Sequence, residues 1–553
     1  MTWRYVSGMK TVPPLRGAFR TDERARAAYA EGAGIYRIVP AAVARPVDVD
    51  DLTGLIRWAE GEGIGLIARG AGSGIPGSSV GDGVVVDLRE LSPRVLEIDA
   101  GGRRAVTSPS ITLAELNAAA SRTGLRLPPD PSSGAWASLG GMVSTNAAGA
   151  RSVKYGSVRR WVDRLDVVGS GGEQFRMARG RSEASSWSPL LESFEREVAP
   201  DIRAAQALIS ARFPRISKNS SGYALDAWLS SGEALDLFIG AEGTLGFISR
   251  IAWRLDALPP ACAGLRVVLG SLDALEPAVR ALVRLDPSSL ELLDRTFLDL
   301  VRSGKTDLER PDTPEGTQAM LLVEFEGPDA KAVRGRVGDA VRAVEPHALE
   351  IVTAVTPEEE RRLWALRHAA SPILASLSAD RRSMQVIEDG CVPLPRLGEY
   401  VRNIRKAAEA QELTVVIFGH AGDGNVHVNV LPELSRPDWR ERVATLYDEV
   451  NARAISLGGT LSGEHGDGRL RTGWLERQYG PEIVGLFRRV KTAFDPRGIF
   501  NPGVILAPPS PAIRRLKVGS DAAVLPGDIA AALRAIEQTG GYARDRLELA
   551  DGA

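Results

Sequence analysis

The sequence predicts an α+β protein of two or three domains. Its 553 residues exceed what a single hydrophobic core serves. The first half interrupts short β-branched runs with long glycine-rich loops, and the second half alternates apolar strands with helical stretches in an order that allows antiparallel hairpins.

In the first half, residues 22–38 form a helical stretch with Ala25, Ala28 and Tyr29 on its apolar face. Val49–Ala59 is a helix with an acidic first turn. A strand over Ile64–Ala68 runs into Arg69-Gly-Ala-Gly-Ser-Gly-Ile-Pro-Gly77, and a second strand follows over Gly83–Leu88. A dinucleotide-binding Rossmann unit places a helix directly after its glycines, and here a strand follows. Glycines in such a loop still let successive N–H groups turn onto a phosphate. Two more segments are rich in glycine and small polar residues: Leu127–Gly134 with Ser138–Gly149, and Gly240–Ile248, which Lys218-Asn-Ser-Ser-Gly-Tyr223 precedes. They have too few large side chains to build a core, but suit wrapping a flat ligand.

In the second half, strands are expected at Leu265–Leu269 and Met320–Phe325. Helices are expected at Leu275–Leu285, Leu290–Val301, Ala330–Val344, Glu358–His368 and Pro437–Leu457, the last closed by Gly458-Gly459. Residues 507–553 read as a linker and a surface-packed tail with one short helix over 528–538.

Composition narrows the function. A net charge of −2 leaves no footprint for nucleic acid. Two cysteines far apart, Cys262 and Cys391, argue against an iron–sulfur centre and a disulfide framework. The first ten residues lack the apolar core of a signal peptide, and no run approaches the roughly 18 apolar residues of a membrane span, so a cytoplasmic protein is expected.

Three of the five histidines concentrate in two glycine-rich stretches, Gly419-His-Ala-Gly-Asp-Gly-Asn-Val-His-Val-Asn-Val430 and Gly463-Glu-His-Gly-Asp-Gly-Arg469. Thr414–Phe418 reads as a buried strand, and Val426–Val430 alternates, so His427 and Asn429 share a face. The turn at Ala421–Asn425 folds His420 back towards His427. Two imidazoles and the carboxylate of Glu464, with a position left open, suit a divalent metal that takes part in chemistry. Glu464 and His465 are neighbours, so in an extended loop only one faces the metal.

These segments together resemble the FAD-binding flavoproteins of the vanillyl-alcohol oxidase type, in the branch of D-lactate dehydrogenase, glycolate oxidase and D-2-hydroxyglutarate dehydrogenase. The matching pieces are Arg69–Gly74, Pro129-Asp-Pro131, Gly140-Gly141, Thr145-Asn146, Gly149, Gly240-Ala-Glu-Gly-Thr-Leu-Gly246 and Asn501-Pro-Gly503, over residues 20–506. The resemblance implies an FAD-binding domain over 1–255, an α+β cap holding substrate and metal over 256–506, and a tail over 507–553. It assigns FAD contacts to Arg69, Gly70, Ala71, Gly72, Ser73, Gly74, Pro131, Ser132, Gly140, Gly141, Thr145, Asn146, Gly149, Glu242, Gly243, Ile248 and Asn501. Some relatives attach flavin through a histidine of the first loop; none precedes His347 here, so FAD is expected to bind non-covalently.

By the same resemblance Arg367, Ser371 and Asn429 contact substrate, His420, His427 and Glu464 bind the metal, and His465 is the base. Zinc is the expected ion, with manganese and iron as alternatives. The implied reaction is oxidation of a D-2-hydroxy acid such as D-lactate or glycolate to the 2-oxo acid. Electrons then pass to a quinone, a cytochrome or an electron-transfer flavoprotein, which allows peripheral membrane association; a homodimer is compatible. Relatives acting on dicarboxylic substrates carry a lysine where this chain has Ile387, with Gln385, Arg381 and Arg382 nearby as substitutes. Two other functions fit parts of the sequence. A metal-dependent hydrolase leaves the glycine-rich segments without purpose. An electron-transfer subunit without its own substrate leaves Arg367 and the histidine cluster without one.

Overall fold

The computed structural model describes residues 9–180, 188–303, 313–375, 377, 380–508 and 511–552. The first glycine loop joins two strands that pair in parallel, Leu66–Arg69 and Val84–Asp87, inside a four-stranded sheet completed by Ala18–Arg20 and Ala42–Arg45. All of Val84–Asp87 is buried, which explains its unbroken β-branched run. A five-stranded antiparallel sheet follows, ordered Leu96–Asp99, Arg104–Thr107, Phe247–Arg254, Val162–Val168, Gln174–Ala178.

The second half is built on a seven-stranded antiparallel sheet. Its order is Glu350–Ala354, Ala261–Leu269, Ala319–Gly327, Ser289–Asp294, Thr414–Gly419, Asn425–Leu431, Met384–Cys391. Alternation along these strands separates two faces. Leu265, Val267, Leu321 and Val323 meet the helices Leu275–Val283 and Ala330–Val344. Leu293, Met320, Leu322, Val416 and Phe418 meet the helices Arg295–Ser303, Pro357–His368 and Ala370–Ala375. The second face carries the site. No helix among the described residues is long and apolar enough to cross a membrane.

Three sequence expectations are corrected. Residues 290–301 are not one helix. Ser289–Asp294 is a fully buried central strand, and Asp294 then starts a helix by accepting from the Phe297 N–H at 2.9 Å. Sheet pairing on both sides overrides the helical look of Leu-Glu-Leu-Leu. The helix within 22–38 is only Glu23–Ala28, because the chain then doubles back, with Ile38 N–H donating to Ala30 O and Ala33 N–H to Gly72 O on the glycine loop. The tail holds two helices, Gly527–Thr539 and Arg546–Asp551, and it does more than cover surface. Leu525, Ile529, Leu533, Ile536, Tyr542 and Leu547 share a core with Tyr29, Val43, Ile67, Ala71 and Val85.

The two halves are joined by buried charge as well as by apolar contact. Arg151 grips Glu324 with Nε at 2.9 Å and Nη2 at 2.8 Å, and reaches Asp130 with Nη1 at 2.5 Å. Beside it Arg126, Lys154 and Tyr155 converge on Glu326. Glu324 and Glu326 are almost wholly buried, so their charges depend on these partners. Arg151→Met should therefore destabilise the protein by roughly 3 kcal/mol and lower the melting temperature of the apoprotein. Adding Glu324→Gln should recover most of the loss. A single variant that melts with the wild type would show that apolar contacts alone hold the seam.

Candidate functional site

The strands Thr414–Gly419 and Asn425–Leu431 pair with Phe418 opposite His427, and the short turn at Ala421–Asp423 returns His420 to the same end. The two imidazoles meet edge to face, centroids 5.0 Å apart. His465 arrives from the loop after the long helix Trp439–Ser456 and stacks on His427 at 5.2 Å. That loop is held by carboxylates. Asp389 accepts from Ser462 Oγ and from the N–H groups of Glu464 and His465, while Glu242 accepts from the N–H groups of Asp467 and Gly468. Gly466 has φ +82°, and a Cβ there would lie 2.6 Å from the Glu242 carboxyl carbon, so the first glycine of this Gly-Asp-Gly is required.

Three imidazole nitrogens converge on one oxygen. Glu464 Oε1 lies 2.9 Å from His420 Nε2, 3.5 Å from His427 Nε2 and 3.7 Å from His465 Nε2. The other oxygen, Oε2, accepts from Lys218 Nζ at 2.8 Å and from the Gly149 N–H at 2.6 Å. Each ring is fixed through its Nδ1: His420 by Glu291 Oε1 at 2.6 Å, His427 by the Glu388 carbonyl at 2.6 Å, and His465 by Glu388 Oε2 at 2.5 Å. All three Nε2 atoms are thus presented to a common point, the arrangement in which imidazoles ligate metals. The extended loop in which only one of Glu464 and His465 would face this point does not form. The loop is curled by positive-φ glycines, and both side chains reach it.

Electrostatics sort the groups. Burial opposes charge on His420, but Glu291 and Glu464 outweigh it and raise its pKa to about 9. Burial and the two neighbouring imidazoles push His427 down to about 3, leaving it a neutral donor. Burial also opposes charge on His465, and Glu388 with Asp389 lifts it to about 9. Burial works against the Glu464 carboxylate too, yet Lys218 and His420 hold its pKa well below the ordinary range. Asp389, His427, Glu464 and His465 also offer ligand atoms within 4.8 Å of one another. Asp389 is already occupied with the 462–465 loop and Asn425, so we assign it to positioning. The set His420, His427 and Glu464, with His465 at its edge, fits a divalent cation.

A single cavity runs from the first glycine loop to this cluster. It is lined by Arg69, Gly70, Ala71, Gly72, Ser73 and Gly74, by Pro131, Ser132, Gly140, Gly141 and Thr145, by Glu242, Gly243 and Ile248, and then by Trp364, Arg367, Phe418, His420, His427, Glu464 and His465. Gly70 packs so tightly on Ser138 that a Cβ would come within 2.2 Å of its Oγ. Among the described residues, the N–H groups of Gly70 to Gly74 donate to no protein acceptor. The buried hydroxyls of Ser79 and Ser110, which face the same space, have no partner either. Unmet donors around a narrow cleft fit a phosphate-bearing cofactor. Among the described residues, the histidines that line the cavity are His420, His427 and His465, and none of them belongs to this loop.

Some expected contacts lie elsewhere. Asn146 accepts from the Arg159 N–H, Gly149 donates to Glu464, and Asn501 donates to Ser78 O and Glu242 O; these shape the cavity from behind and do not line it. Asn429 is also off the lining, its Oδ1 accepting from Ser383. Ser371 falls in the helix Ala370–Ala375, but its side chain is outside the described residues. Arg367 faces the cavity over the Phe418 ring, with Nε bound to Glu291 Oε2 at 2.5 Å. Sequence reasoning missed Glu291, Glu388, Asp389 and Lys218. Lys218 stood in a glycine-containing motif and Glu388-Asp389 directly after Ile387, whereas Glu291 was hidden in the strand misread as helix.

Both halves of the chain match known protein families. Residues 40–178 match the family model described as FAD binding domain, and residues 259–505 match that of the FAD linked oxidases, C-terminal domain. A D-lactate dehydrogenase of Archaeoglobus fulgidus is 29% identical over 513 residues, covering 92% of this chain and 99% of that one. An FAD-linked oxidoreductase of Mycobacterium tuberculosis is 30% identical over 476 residues, covering 84% and 91%. Among solved structures, 4-ethylphenol oxidase from Gulosibacter chungangensis superposes with a TM-score of 0.66 at 16% identity, covering 91% of this chain and 97% of that one. With a glycine cradle, a cap sheet and matched segments in both halves, the chain belongs to the FAD-linked oxidoreductases of the vanillyl-alcohol oxidase type, in the branch of D-lactate dehydrogenase, glycolate oxidase and D-2-hydroxyglutarate dehydrogenase.

Proposed function

We propose that the protein oxidises a short D-2-hydroxy acid, such as D-lactate or glycolate, to the 2-oxo acid, with FAD taking the hydride and a divalent cation, zinc by its N and O donors, held by His420, His427 and Glu464. The observation that carries this is the convergence of three imidazole Nε2 atoms on Glu464 Oε1 at the end of the cavity that begins in the glycine cradle.

When bound, the flavin supplies a two-electron acceptor and the cation acidifies a hydroxyl it ligates. The rest of the task falls to side chains. Arg367, with its Nε held by Glu291, turns the remaining face of its guanidinium to the cavity, the fork that grips a carboxylate. His427 stays neutral and available as a donor, because burial and its neighbours suppress its charge. Lys218 and the Gly149 N–H keep Glu464 ionised and turn Oε1 to the imidazoles. His465 takes the hydroxyl proton at Nε2, since Nδ1 is engaged by Glu388, and that carboxylate stabilises the imidazolium that forms. The same carboxylate raises the pH below which His465 is already protonated, and positive charge beside Glu464 opposes it.

Four outcomes test the proposal. Anaerobic mixing with a panel of D- and L-2-hydroxy acids should bleach the flavin absorbance with short D acids or glycolate; a flavin that no member of the panel reduces would overturn it. His427→Ala should lose metal by elemental analysis, and turnover with it, while keeping FAD; full metal content would remove the metal assignment. His465→Asn should keep metal and FAD while substrate reduction of the flavin slows by roughly 10²–10⁴-fold. Glu388→Gln should move the acidic limb of that rate to lower pH, because burial then acts on His465 with less to oppose it. A limb that stays in place would exclude the Glu388–His465 pair from the proton step.

A further inference from the structure

The C-terminal extension lies outside both matched family segments, the second of which ends at residue 505. It nonetheless returns to the back of the flavin cradle. Arg515 O accepts from the Arg37 N–H, and Lys517 N–H donates to Ile35 O, which lays the extension along the doubled-back segment after the first helix. Further on, Tyr542 meets the Trp136 ring at 5.9 Å, beside the stretch whose Ser133, Ala137 and Ser138 line the cavity. Arg45 grips Asp545 with both Nη atoms, at 2.8 and 2.5 Å. Arg89, itself a cavity residue, donates to Arg544 O at 2.9 Å and to Asp87 at 2.8 Å.

Inside this packing lies Arg546. It is 3% exposed, and both its Nε and Nη1 are buried without a hydrogen-bond partner. Its electrostatic neighbours are Arg69, Tyr542, Arg89 and Tyr29, and burial followed by Arg69 pulls its pKa down to about 9. Four guanidiniums, those of Arg45, Arg69, Arg89 and Arg546, thus share two carboxylates, Asp87 and Asp545. Glu31 is already bound to Arg37, and Arg69 has only the carbonyls of Tyr29, Glu31 and Ser79. Uncompensated buried positive charge is costly unless an anion answers it. Two members of the cluster, Arg69 and Arg89, border the cavity where the N–H groups of Gly70 to Gly74 lack acceptors.

We propose that Arg546, which stands behind the cavity lining, acts on the cofactor site through Arg69 and Arg89: the excess positive charge behind the Arg69–Gly74 loop is the counterpart of the doubly negative pyrophosphate of FAD. The extension then does not merely cover the first domain; it tunes how tightly the cofactor is kept. The inference rests on FAD binding and not on which acid is oxidised, so it survives any outcome of the substrate panel.

The test uses the full chain, stripped of flavin and titrated with FAD by fluorescence quenching, with the melting temperature of the apoprotein measured alongside. Arg546→Met, of similar length but neutral, should raise the Kd for FAD by about 10-fold, the scale of losing one buried unit charge near an anion. The apoprotein should melt no lower than the wild type, since an unanswered buried charge has gone. Arg546→Lys should bind FAD within a few-fold of the wild type. Unchanged FAD affinity in Arg546→Met overturns the proposal. So does an Arg546→Lys variant as weak as Arg546→Met, or an Arg546→Met apoprotein that melts lower or fails to fold, because the arginine would then serve packing and not the cofactor.

Discussion

The buried carboxylate of Glu464 is the point on which the structure depends. One oxygen faces three imidazoles, and the other is bound by Lys218 and the Gly149 N–H. Lys218 and Gly149 belong to the first half of the chain, His420 and His427 to the seven-stranded sheet, and His465 to the loop beyond it. Burial opposes the charge of this carboxylate, and Lys218 from one half with His420 from the other hold it ionised. The docking of the two halves and the chemistry of the site are therefore the same event.

The same rule recurs outward from that centre. Glu291 spans Arg367 and His420, so the arginine facing the cavity and one imidazole are positioned by a single side chain. Burial raises the pKa of Glu291, but His420 and Arg367 win and hold it at about 2. Asp389 ties down the loop that carries Glu464 and His465 by accepting its N–H groups, and Glu242 does so two residues later. Glu242 is different in kind: burial and the nearby Asp467 raise it to about 8, so the pair holds less charge than its two carboxyls suggest. Acidic side chains here orient backbone and rings more than they meet solvent.

What was legible in the sequence follows from range. Glycine clusters announce close approach wherever they occur, and the alternation of Val-His-Val-Asn-Val places His427 on one face of a strand, so the cradle and the histidine hairpin were both visible. Glu291 was not. It sits in Leu-Glu-Leu-Leu, whose helical look is overridden only because Ala319–Gly327 and Thr414–Gly419 flank it, a pairing made by residues far along the chain. Asn429 shares a face with His427 as expected, but it stands one step further from the end of the strand and spends its Oδ1 on Ser383. Nor does any local pattern reveal that residues 525–549 complete the core beneath the first glycine loop. Local signals name the residue types; long-range packing decides which of them reach the cavity.

That distinction explains how the site is divided. The cradle needs backbone donors and little side chain, which short glycine-rich loops between paired strands provide. The proposed proton and metal chemistry needs side chains held at fixed angles, which a wide antiparallel sheet provides through Phe418, His427 and Glu291 on one face. Neither half can satisfy its buried charges alone: the imidazole cluster borrows Lys218 and Gly149, and Glu324 and Glu326 borrow Arg151 and Arg126. The cavity between the glycine loop and the imidazole cluster is accordingly lined by both halves of the chain.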